Sequence, residues 1–216
     1  MEQTIIDFIV VVLGILFALL LNKIIEKRAH RKRINNIMNI VTTNLNNDLI
    51  RVKKTINSIK SRDKLFNQVI SAESMNDKEI KESMNLITNY PRFNISNRGY
   101  NLLKDSKVDF DFKDSDLISE VIHFYDIYLD GIISYSQYLR DNIERNFRSF
   151  SEYNWGIEFY NDRVTQGYID YLRTNEYRAK VSYHYKLMTD PWSNILTSYK
   201  DEVKIILEKI DASDYK

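Results

Sequence analysis

The chain contains no cysteine, which excludes disulfides and thiolate metal sites and fits a reducing compartment. It has five glycines and two prolines, and none of them falls between Gly14 and Pro91. Long helices therefore meet few breakers. There is no Gly-rich phosphate loop, no GxSxG and no HExxH. Its three histidines, His30, His123 and His184, are far apart in sequence. Packing accounts for them better than catalysis does, and the pattern points away from an enzyme. The last absence is local. From Phe8 to Leu21 no side chain carries a charge or a hydrogen-bonding group.

That run, extended by Ile5, Ile6, Ile24 and Ile25, gives about 20 residues, enough helix to cross a hydrocarbon core of roughly 30 Å. Lys23, Lys27, Arg28, Arg31, Lys32 and Arg33 follow it, with Glu26 the one acid among them. A signal peptide carries its positive charge before the apolar run and a small-residue cleavage site after it; here the charge follows, and Leu21-Asn22-Lys23-Ile24 offers no such site. The expectation is a retained anchor. The basic excess predicts a cytoplasmic C-terminal domain and an external N-terminus, as in a bacterial inner membrane.

Charge is unevenly distributed. Residues 1–66 hold 12 Lys and Arg against 5 Asp and Glu, while residues 67–216 hold 19 against 25. Attraction between the basic juxtamembrane residues Lys27, Arg28, Arg31, Lys32 and Arg33 and anionic headgroups explains the basic half. Within the apolar run, Asp7, Val11, Gly14, Ala18 and Leu21, with Asn22 beside them, share one helical stripe. Gly14-x-x-x-Ala18 is a small-xxx-small pair that lets a second helix approach closely. Two readings stand: a helix–helix contact in a homo-oligomer, or a pore lining with Asp7 as an outer acidic ring and Asn22 as an inner polar one.

Beyond the span, Ile34, Met38, Val41, Leu45, Leu49, Val52, Ile56 and Ile59 recur every three or four residues, interrupted near Asp63 and resuming at Leu65. The spacing predicts a stalk helix. A short helix is expected over about 77–89, stopped by Pro91, and a five-residue extended link over 108–112. A long helix should start at Asp114 or Ser115, with Gly131 marking close packing or a kink. Another should run over about 161–188, and a last one should start at Asp190-Pro191. Residues 214–216 match the start of a common epitope tag and carry no argument. The expected architecture is all-α, with a tail and transmembrane helix over 1–25, a juxtamembrane stalk over 26–70, and a cytoplasmic helical bundle over 71–216.

No metal site or cofactor is expected. Asp109, Asp111 and Glu120 have the outline of a calcium loop, but Lys113 and Asp114 occupy positions that need an oxygen ligand and a glycine. The cytoplasmic feature most suggestive of binding is Arg173, Tyr177, Lys180 and His184, which a continuous helix would place on one face. Interleaved aromatic and basic groups suit a nucleotide or single-stranded oligonucleotide. The alternative is a solvated amphipathic face whose tyrosines cover the edge of the core.

Two stretches carry a resemblance to a known family. Ile9 through Asn22 is similar to the anchor of the DUF6090 family of N-terminally anchored bacterial membrane proteins, with Lys23 where that family has a second Asn. Pro91, Phe93 and Gly99 through Ser106, followed by Asp114, Asp116, His123 and Tyr125, resemble a second segment of the same family. The resemblance covers roughly residues 5–130 and implies a topology and a helical fold, with no activity assigned. The layout also resembles membrane effectors of bacterial anti-phage systems of the Hailong channel type, which deoxyadenylate oligomers control. That likeness implies an ion-conducting homo-oligomer gated by its cytoplasmic domain, with a nucleotidyltransferase encoded nearby. A non-enzymatic adaptor that tethers a cytoplasmic partner remains the other reading.

Overall fold

A computed structural model describes residues 2–71, 74–106, 115–161, 163–213 and 215; the side chains of residues 2–9 and 77 are not described. The expected extended link over 108–112 and the helix cap at Asp114 lie outside the described residues. Those residues are all-helical, with no strand among them. Helix α1 spans Glu2–Lys60, and α2 (Asp63–Ile70) follows a turn at Ser61 and Arg62. Then come α3 (Asp77–Ser83), α4 (Arg98–Asp105), α5 (Ser115–Phe150), α6 (Gly156–Tyr160), α7 (Gln166–Leu172), α8 (Asn175–Leu187) and α9 (Ser193–Asp211).

The C-terminal part of α1 is the central helix of the bundle. Ile34, Ile37, Met38, Val41, Leu45, Val52, Ile56 and Ile59 are buried at steps that keep them on one face. Residues 34–70 thus lie inside the bundle, whereas the expected stalk extended over 26–70. The apolar seam is a packing surface here. Helix α9 lies along α1 through Leu196, Tyr199, Val203, Ile206 and Ile210, while α4 crosses α1 and α5 packs on α9. Two glycines set close approaches. A Cβ on Gly99 would stand 2.7 Å from Val41 Cγ2 and 2.8 Å from Val41 N, so α4 meets the α1 backbone directly. A Cβ on Gly131 would stand 2.6 Å from Ile195 Cδ1, the flexible end of a side chain.

Three expected elements differ. The helix expected over 161–188 is cut twice by threonines. Thr165 Oγ1 accepts from Tyr168 N (3.3 Å) to open α7, and Thr174 Oγ1 accepts from Tyr177 N (3.1 Å) to open α8. The last helix does not start at Asp190-Pro191. Met188–Trp192 is a π-helical turn joining α8 to α9, in which Ser193 N bonds Met188 O. A proline lacks the N–H that an α-helix needs at that position, and the wider turn accommodates it. The helix expected to reach residue 89 ends at Ser83, and residues 84–97 run as turns and irregular chain.

That irregular stretch is threaded through the bundle, and side chains satisfy its backbone. Tyr177 OH donates to Ser83 O, and Tyr168 OH donates to Met84 O (3.1 Å). Asn146 Nδ2 donates to Ile87 O (2.9 Å), Trp192 Nε1 to Pro91 O (3.2 Å), and Asn44 Nδ2 to Ser96 O (3.1 Å). At its end lies Asp48, whose side chain is fully buried on α1. Its carboxylate accepts from Ser96 N (2.8 Å), Ser96 Oγ (2.8 Å), Tyr199 OH (2.8 Å) and Arg51 Nη2. One carboxylate thereby ties α1, the irregular stretch and α9 together.

Asp48→Ala leaves the Ser96 N–H and the Tyr199 hydroxyl buried without an acceptor. The expected loss is on the order of 3 kcal/mol, read as a lower urea midpoint. Gly99→Ala should cost roughly 1–3 kcal/mol, because the obstacle at Val41 is backbone. Gly14→Ala should leave the midpoint unchanged, since nothing lies within 4 Å of a Cβ there.

Candidate functional site

N-terminal to Ile34 the chain leaves the bundle. Residues 10–29 are exposed on every face of α1, with Phe17 64% and Val10 62% accessible. Residues 10–33 form a projecting rod of about 36 Å. Val11, Gly14, Ala18, Leu21 and Asn22 lie along it, as do the exposed basic residues Lys27, Arg28, Arg31, Lys32 and Arg33. Asp7, the outer member of the small and polar stripe, falls among side chains outside the described residues. Among the described residues, no helix is long and apolar enough to cross a membrane. The transmembrane helix expected over 1–25 thus has no support among them; the side chains of residues 2–9, at its start, are not described.

The four residues expected to form an anion-binding face do not come together as one. Arg173 caps the C-terminus of α7, while the other three are on α8. Tyr177 is fully buried, and its hydroxyl is committed to Ser83 O. Lys180 Nζ has three donors, and all are spent. They bond Glu176 Oε1 (2.8 Å), Ser149 Oγ (2.9 Å) and Tyr171 OH (3.1 Å).

His184 is also fully buried. Asn142 Nδ2 donates to its Nδ1 (2.8 Å), so Nε2 carries the hydrogen that it donates to Asn89 O (3.3 Å). Burial lowers its pKa to about 4, only partly opposed by the Asn89 bond. His123, expected beside the buried side of α5, is exposed.

Arg173 instead joins Arg178 at a pocket of about 340 Å³ between α2, α3 and the α7–α8 junction. The sequence places Arg178 close by the expected face rather than on it, and the break capped by Thr174 is what pairs it with Arg173. At the C-terminal end of α5, Phe150, Trp155, Phe159 and Tyr168 pack ring on ring, with Phe150–Phe159 centroids 4.7 Å apart. Ile157, Tyr160 and Val164 stand exposed beside them. Among the described residues, no three His, Asp or Glu side chains converge as metal ligands. Asp109 and Asp111 lie outside them.

His184 makes stability pH-dependent. Its folded pKa of about 4 lies below the ordinary 6.5. The unfolded chain therefore binds the proton first, and stability falls as pH drops through that window, levelling off near 4. Between pH 7 and pH 5 the expected loss is roughly 2 kcal/mol by urea unfolding. His184→Leu should be less stable at pH 7 and lose much less over the same interval.

No protein-family model matches the chain, and no curated protein or solved structure is significantly similar to it.

Proposed function

We propose that this chain is a homo-oligomeric membrane effector: the N-terminal rod lodges in a bilayer, and the helical domain controls what the rods do there. The observation that carries this reading is the apolar surface of residues 10–25, exposed around the whole helix. Isolated soluble proteins rarely expose contiguous apolar patches beyond a few hundred Å². The anchor is residues 1–25, in a bacterial inner membrane, with the domain on the cytoplasmic side. The basic collar from Lys27 to Arg33 meets anionic headgroups.

A single span conducts ions only as part of an assembly, because one helix has no lumen. Several copies assemble with the stripe from Asp7 to Asn22, Gly14 and Ala18 included, facing a shared axis. Closed rotational symmetry fits such a ring. The rod and the central core helix are one α-helix, so a tilt of the domain is a tilt of the anchor. The layout shared with anti-phage membrane effectors is the reason to test the protein in that setting. A second reading, an anchor that tethers a partner protein, is favoured by the exposed corner at Ile157, Tyr160 and Val164.

The full chain, expressed in bacteria, should stay in the carbonate-washed membrane fraction and make proteoliposomes leak potassium. Gly14→Leu and Asp7→Ala should reduce the leak severalfold without releasing the chain from the membrane. Recovery as a dissolved protein overturns the anchor. Stable insertion without leak leaves the tethering role and overturns the pore.

A further inference from the structure

We propose that the pocket at the α7–α8 junction binds a small organic phosphate, a phosphate group on a compact apolar or aromatic body. Its floor is apolar, formed by Val69, Ile80 and Leu172, while Ser74, Arg173 and Arg178 stand on its walls. Its volume, about 340 Å³, falls at the small end of the range for ligand sites. It holds one such body and no extended strand.

The charges are arranged for an anion. Among the described residues, neither Arg173 nor Arg178 pairs with a carboxylate. Arg178 gives Nη2 to Asn175 Oδ1 but keeps a buried Nε–H with no acceptor. A buried donor without a partner is costly, and an incoming oxyanion would satisfy it. Two described acids of these elements, Glu79 and Glu176, are engaged elsewhere. Glu79 accepts from Asn76 N (3.0 Å) and Gln68 Nε2 (3.2 Å), and Lys64 and Lys78 act on it electrostatically. Glu176 accepts from Lys180 and Tyr153.

Two guanidiniums at one pocket, neither paired with a carboxylate among the described residues, favour a phosphate dianion over a single carboxylate, because guanidinium N–H donors match phosphate oxygens. The apolar floor then discriminates between organic and inorganic phosphate. The site lies wholly on the helical domain, so it stands whether or not the rod enters a bilayer.

Isothermal titration of the full chain in dodecyl maltoside, with phenyl phosphate, AMP and inorganic phosphate, tests the proposal. At least one organic phosphate should bind more tightly than inorganic phosphate. Arg173→Gln and Arg178→Gln should each weaken binding about tenfold, with thermal melting unchanged for the exposed Arg173 variant. Arg163→Gln, an exposed change away from the pocket, should leave binding intact. Three results overturn the proposal: neither organic phosphate binds at millimolar concentration; the double arginine variant binds like the parent; or inorganic phosphate binds as tightly as the organic compounds.

Discussion

A helical bundle with irregular chain passing through it must supply hydrogen-bond partners to that chain, because helices have already used their own backbone groups. This constraint organises the domain. Residues 84–97 have no helix of their own, yet Leu86, Ile87, Tyr90 and Phe93 along them are buried. Six surrounding side chains, Tyr177, Tyr168, Asn146, His184, Trp192 and Asn44, reach in to satisfy carbonyls from Ser83 to Ser96. Asp48 takes the Ser96 N–H at the end of the run. Tyrosine suits such work because its ring fills the core while its hydroxyl reaches one polar partner. Removing Tyr177 or Asn146 strands a buried carbonyl, and the other four bonds are partly buried, so these polar residues help specify the shape of the core.

What was legible in the sequence follows from the same division. The apolar seams of α1, α5 and α9 repeat every three or four residues, and a periodic pattern survives without knowledge of its partner. Asp48, Asn142 and Asn146 sit on those seams too, but a polar residue at a seam position looks like an interruption until its partner is known. Tyr177 and His184 were legible as polar and aromatic groups sharing a helical face; the identity of their acceptors, Ser83 O and Asn89 O, was not. Long-range pairs such as Asp48 with Tyr199 leave no local trace. Thr165 and Thr174 are cap residues in plain view, and the apolar and aromatic run around them concealed the caps. Pro191 misled for the opposite reason. A first-turn proline ordinarily marks a helix start, whereas here a π turn carries the helix through it.

The pocket and the rod lie at opposite ends of the domain. Tyr199 meets Asp48, and Phe66 stacks near His184 with ring centroids 6.5 Å apart. The run from α8 through α9 is therefore antiparallel to α1. Arg178 falls beyond the Lys60 end of α1, while Ile210 lies toward the end where the rod emerges. Any effect of the pocket on the rod must be carried along this pair of helices, whose packing is continuous.

The π turn at Met188–Trp192 interrupts that lever near its middle. Its π hydrogen bond, from Ser193 N to Met188 O, spans five residues, and Thr189 Oγ1 bonds back to Tyr185 O (2.9 Å). Trp192 in the same turn holds Pro91 O, so a change in winding there also moves the irregular stretch. Asp48 fixes the other side of that stretch to α1 and α9 together. A displacement at the α7–α8 junction thus has two routes to the central helix, one along α9 and one across residues 91–96, and both converge on a single buried carboxylate. The π turn is thus held on both sides, by Trp192 on the irregular stretch and by Thr189 on α8, and it lies between two α-helical segments packed on the same core.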